Sequence, residues 1–287
     1  MSAATPSKSG FDSDAFSAKA NKIIAERNAA STDSLAGTIK IYRVVVGFLI
    51  ASLLWKCKYF PLIHEIYSSH HLKTDFFPAL LSNPNALAGL YATPVLLGLW
   101  AMMTRNKFLL RVQAITIMVC MFGLCIHQGS YNDVTFLTSF WVSVWCAWFT
   151  MRIEDAEEVL MAKAKTFGLL IASLIFLGGA AGKWTPEYWS GEVFYEIYFI
   201  DRDYWAFNFL RTQFEGEGLR NVATYYSRMV IIIETLCAFL WLLPVKAGSA
   251  IALVVLFGIA LFSNVNLFSV VFCLFGLMLV GLHEPKK

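Results

Sequence analysis

The chain has 287 residues, 57% of them hydrophobic and 15% charged, with a mean hydropathy of +0.59. A soluble domain carries roughly a quarter charged residues, so this composition excludes an ordinary water-soluble fold and predicts an all-α, polytopic bundle of transmembrane helices. The net charge of +3, with no dense Lys/Arg cluster, excludes nucleic acid as a partner.

Residues 1–38 are rich in Ser, Ala, Lys and Asp and are expected to form a cytoplasmic tail, mostly disordered, although Phe11, Phe16, Ile23 and Ile24 would suit a weak amphipathic helix. The start lacks the charged-then-apolar layout of a cleaved leader, so the first span is expected to direct insertion. A membrane domain is expected over 39–284. Its apolar blocks fall at 41–55, 86–103, 108–126, 134–151, 166–182, 229–243, 249–262 and 267–282, about eight passages of which the last two are short. The tetrapeptide SNVN between those two leaves open a helical hairpin or one broken passage.

Lys and Arg set the orientation. Arg105, Lys107 and Arg111 lie between the second and third blocks, and Arg152, Lys163 and Lys165 between the fourth and fifth, whereas HQGSYND (127–133) and SNVN (263–266) carry none. The positive-inside rule then places both termini in the cytoplasm and the segments 56–84 and 183–228 on the outer face. The second outer segment, WTPEYWSGEVFYEIYFIDRDYWAFNFLR, has the ring content of a headgroup-level belt and is expected to lie along the interface as short helices. Thr185 before Pro186 suits an N-cap followed by the first helical position. The segment reads as an anchor, or as a lid over a lipid-facing site.

The six cysteines lie in or beside apolar blocks with no CxxC pair, as buried thiols do. His64, His70, His71 and Asp75 resemble a metal cluster, but five histidines in the chain cannot fill the boxes of a di-iron enzyme; solvated loop histidines are expected, and no metal. Nucleotide-binding, α/β-hydrolase and zincin motifs are lacking.

Ionisable groups inside spans are costly and therefore informative. Glu234, in MVIIIETLCAFLW, lies six residues beyond Arg228, ~9 Å along a helix, and reads either as a packing residue or as part of a site. Lys183 closes the run LIFLGGAAGK and reads alone as a snorkelling anchor. The small residues before it, among them Gly178, Gly179 and Gly182, let a helix or a flat ligand approach closely. Burial disfavours the charged form of an amine, so a lysine beside such a groove is a candidate base. Span counting brings His127, Lys183, Glu234, Asn264 and Asn266 to similar depth, where they would line one cavity with Trp184 and Trp189 nearby.

Three stretches resemble the HTTM family, the transmembrane domain of vitamin K-dependent γ-carboxylases and their bacterial relatives. IYRVVVGFLIASLLWKCKYFPLIHEIYSS resembles the opening helix. LIFLGGAAGKWTPEYWSGEVFYEIYF resembles the signature of an aromatic-flanked small-residue pair, a lysine and a Trp-x-x-Gly turn, and IALFSNVNLFSVVFCLFGLMLVG the helix with an asparagine turn. Together they span 41–283. The resemblance implies Lys183 as catalytic base toward a reduced quinone and places His127 near a polar connection. Carboxylases carry a lumenal domain after the helices whereas this chain stops at Lys287, so the expectation is a membrane core that handles a quinone or isoprenoid lipid, alone or with a partner membrane subunit, rather than full peptide carboxylation. The alternative is a non-enzymatic scaffold or assembly subunit. A transporter would want an internal repeat, and none is evident.

Overall fold

The computed structural model of the protein describes residues 13–57, 84–128, 134–200, 202–262 and 267–284. They form helices joined by turns, with no strand among the described residues. The passages are α1 (Ser13–Cys57), α2 (Pro84–Met103), α3 (Lys107–Gln128), α4 (Val134–Met151) and α5 (Glu157–Ala181). The aromatic segment follows as α6 (Pro186–Ser190), α7 (Glu192–Phe194), a π-helix (Tyr195–Ile200) and α8 (Trp205–Gln213). Three more passages complete the chain, α9 (Gly216–Cys237), α10 (Val245–Phe262) and α11 (Phe268–Leu282).

Seven of these helices are long and apolar enough to cross a membrane, and α11 is a shorter apolar helix of 15 residues. An integral, multi-pass membrane protein follows, with lipid against its outer helices. α1 is longer than the first apolar block: its helical backbone begins at Ser13 and runs without a break into the span. Residues 13–38 are polar yet rich in alanine, which favours helix without needing an apolar face.

The shortest passage sits at the centre. α11 packs against α1, α4, α5 and α10. A Cβ on Gly276 would come within 3.0 Å of the Phe48 Cβ and 3.2 Å of the Val45 Cα, so glycine is what lets α11 lie directly on α1. Several polar groups inside this core are paired: Thr135 with Ser269 at 2.8 Å, Ser139 with Cys273 at 3.4 Å, and the Trp145 indole N–H with the Ala164 carbonyl at 2.9 Å. Trp145 also stacks on Phe149 at 4.7 Å.

Lys246 at the start of α10 pairs with Glu284, and Lys165 on α5 donates to the His283 carbonyl at 2.5 Å. Both ends of the α10–α11 pair therefore lie on one side of the bundle, which settles the last two blocks as an antiparallel hairpin. Arg111 joins the same basic face, donating to the Thr150 carbonyl at 3.1 Å and pairing with Glu154 at 3.3 Å. The opposite, aromatic face carries residues 183–200 and 202–215.

Candidate functional site

The aromatic segment is built from its N-cap outward. The Thr185 hydroxyl accepts from the Tyr188 backbone N–H, Pro186 opens the helix, and Glu187 adds a carboxylate in the first turn. Hydrogen bonds from the backbone and from Thr185 hold the Glu187 carboxyl below the usual carboxylate range. Gly191 then turns the chain at φ 85°, where a Cβ would strike the Thr224 backbone. Beyond it Phe199, Phe207, Leu219 and Ala223 form a small buried core of their own, ringed by Tyr198, Tyr204 and Tyr226. Burial raises the Tyr198 hydroxyl above the ordinary phenol value.

This segment is fastened to α9 by a polar ladder. Thr224 donates to the Ser190 carbonyl at 2.6 Å, Ser227 donates to the Tyr188 carbonyl, and the Arg228 Nε donates to the Trp189 carbonyl at 3.1 Å. Arg228 also lies over the Trp189 ring at 5.4 Å. The Trp184 indole donates to the Thr235 hydroxyl at 3.0 Å, and Trp184 stacks on Trp189 at 5.3 Å.

The deepest rung is an ion pair. Lys183 Nζ lies 2.5 Å from Glu234 Oε2, with the two side chains only 22% and 13% exposed. The lysine does not extend away from the bundle as a snorkelling anchor does. Side chains on a helix lean toward its N-terminus, and Lys183 folds back so that Nζ also donates to the Gly179 carbonyl at 3.2 Å, one of the acceptors a helix leaves unpaired at its C-terminal end. Glycine matters at 179 because a Cβ there would sit 3.2 Å from Glu234 Oε2 and 3.7 Å from Lys183 Nζ. An amine and a carboxylate held this tightly need one another, because removing either leaves a poorly hydrated charge.

Beside the pair lies a cavity of about 520 Å³ between α9 and α10, roofed by Ala206, Phe207 and Leu210 of α8. Glu234 forms part of its wall; among the described residues Tyr226 is the other polar side chain of the lining and the rest are apolar. On the α10 side a Cβ on Gly258 would meet nothing within 4 Å, and Val254 is 73% exposed, so the cavity opens sideways between the helices. The volume falls within the roughly 300–1,000 Å³ of small-molecule sites.

The structure thus joins Lys183, Gly179 and Glu234 as the sequence leads one to expect. Trp184 and Trp189 lie close by on the polar ladder, and Lys183 stands behind Glu234 rather than in the cavity wall. A Cβ on Gly178 would meet only open space, and Gly178 and Gly182 do not line the cavity. The side chain of His127, together with Asn264, Asn266 and the cluster His64, His70, His71 and Asp75, lies outside the described residues. Among the described residues no group of His, Cys, Asp and Glu could hold a metal ion.

The lid alternative for the aromatic segment left open which residues would cover a site, and Ala206, Phe207, Leu210 and Gly258 were not singled out. Tyr204 and Trp205 belong to the expected aromatic belt, but their tether to α10 was not foreseen: their Oη and Nε1 donate to the Leu261 carbonyl at 2.9 and 2.8 Å and close the end of α10. A signal for the ladder was available in the spacing of Thr224, Ser227, Arg228, Glu234 and Thr235 at helical intervals. No family model, curated protein or solved structure matches the chain.

Proposed function

We propose that the protein binds an isoprenoid lipid, of the quinone type, in the cavity between α9 and α10, with the Lys183–Glu234 pair as its proton-handling group. The observation that carries this reading is the placement of one carboxylate, paired with Lys183 behind it, in the wall of a mostly apolar, laterally open cavity. A hydrocarbon tail is matched by the apolar lining, and a polar head by the carboxylate. A quinone supplies a redox-active ring when bound. The chain's own residues contribute the apolar walls, a roof that keeps water out, and a lysine–carboxylate pair able to hold or pass a proton. The sequence resemblance to the HTTM family supports the same assignment.

The basic face, with Arg111, Lys165 and Lys246, is the cytoplasmic one by the positive-inside rule, so the cavity belongs to the outer leaflet. Native mass spectrometry of gently extracted protein tests the reading. The expected outcome is a lipid adduct of prenyl mass at one per chain. A stoichiometric protein partner with no lipid adduct would instead favour the scaffold alternative.

A further inference from the structure

We infer that Glu234, not Lys183, is the residue that meets the cavity's ligand, and that it selects a lipid whose head group is a hydroxyl. This rests on the lipid-binding reading above and deepens it. Lys183 becomes a positioning residue that acts through the carboxylate.

Three observations carry the assignment. Glu234 lines the cavity and Lys183 does not. The ammonium is committed to the Gly179 carbonyl and to Glu234 Oε2, so it points along α5 toward acceptors of its own. Of the two carboxylate oxygens only Oε2 takes part in that pairing; no protein hydrogen bond reaches Oε1 among the described residues, although it is not sealed from its surroundings.

A carboxylate can only accept hydrogen bonds. The second polar side chain of the lining, Tyr226, directs its hydroxyl toward the Phe262 carbonyl at 3.5 Å, and among the described residues no other lining side chain has a donor. The cavity therefore offers its ligand an anionic acceptor. The ring carbonyls of an oxidised quinone, like an ester or ether oxygen, would set their lone pairs against that charge, whereas an alcohol, a phenol or the hydroquinone form of a quinone donates to it, so a quinone-type ligand is met in its reduced form. Hydrogen bonds to charged groups are strong enough to give roughly tenfold or greater discrimination. No bond is made or broken in this step. One O–H···O contact forms, and Lys183 holds the carboxylate against α5 so that Oε1 stays turned to the ligand.

The test compares geranylgeraniol with its methyl ether, which keeps the tail and deletes the donor, by equilibrium binding to the full chain in lipid nanodiscs. The expected result is about tenfold tighter binding of the alcohol, with the preference falling several-fold in Glu234→Gln. Lys183→Met should lose part of the preference and Lys183→Arg should restore it, a rescue that a purely structural lysine would not show. Equal binding of alcohol and ether by the unaltered protein would overturn the inference and leave the lipid-binding reading standing. Binding of neither would overturn both. A preference that survives Glu234→Gln but vanishes in Lys183→Met would move the contact to the lysine and also overturn it. The comparison of the two lipids on the unaltered chain needs no variant to fold.

Discussion

The α1, α4, α5 and α11 group and the wing of α9 and α10 under α8 are both built on apolar helices but are packed to different ends. More than half of the span windows in α1 and α4 is buried, against just over a quarter in α9 and α10. In the first group, glycine removes volume so that helices touch, as Gly276 does between α11 and α1; in the wing, Gly258 removes volume and nothing fills the space. Thr135 pairs with Ser269 and Ser139 with Cys273 inside the core, whereas polar groups of the wing run as a ladder that includes a charge beside a cavity. In a bilayer, where apolar side chains gain nothing by leaving lipid, such differences in fit decide which helices are structural and which leave room for a guest.

Three substitutions would sharpen or break that contrast. The largest effect is expected in the core. Trp145 is fully buried and hydrogen-bonded, so Trp145→Ala should cost about 3–5 kcal/mol, visible as a large drop in thermal midpoint in detergent. A change below ~1 kcal/mol would mean that the core is less tightly packed than its contacts indicate.

In the wing, Gly258→Leu adds a side chain into open space and should shift stability by no more than ~0.5 kcal/mol. The same change should weaken geranylgeraniol binding by about tenfold, measured in nanodiscs, because it takes up cavity volume. If it unfolds the protein as Trp145→Ala does, the two regions are not distinct.

The most local effect belongs to the aromatic segment. Thr185→Ala removes the N-cap of α6 and should cost about 1 kcal/mol locally, read as faster amide exchange at Tyr188. The ionised Glu187 adds to the same turn. Because its folded value is depressed, its contribution is complete above the ordinary carboxylate pKa and is lost as the pH falls through the lower folded value, so acid should speed the same exchange in the unaltered chain.

Much of this arrangement was legible before any coordinates. Apolar runs of spanning length announced the passages, since a bilayer fixes how many residues a helix needs. Thr185 and Pro186 announced α6, because cap chemistry is local. The pairing of Lys183 with Glu234 followed from counting spans and noticing that two charges fell at one depth. Less legible was α11, whose 15 residues look marginal as a span and yet occupy the middle of the bundle. Centrality comes from which faces find partners, and period alone does not state it in a helix that is apolar all round. A cavity beside Glu234 was expected, but its walls were equally hidden. It arises from Gly258 on one helix, Leu210 on another and Glu234 on a third, and no local pattern links three such positions.

Tyr204 and Trp205 stand at the start of α8 and are tethered to the last turn of α10 through the Leu261 carbonyl. The ceiling of the chamber is thereby hung from one of its own side walls. A long-tailed guest that wedges α10 away from α9 must drag that ceiling along, so doorway and canopy give way together, and a molecule already seated is shielded from the aqueous side for as long as the wall stands upright.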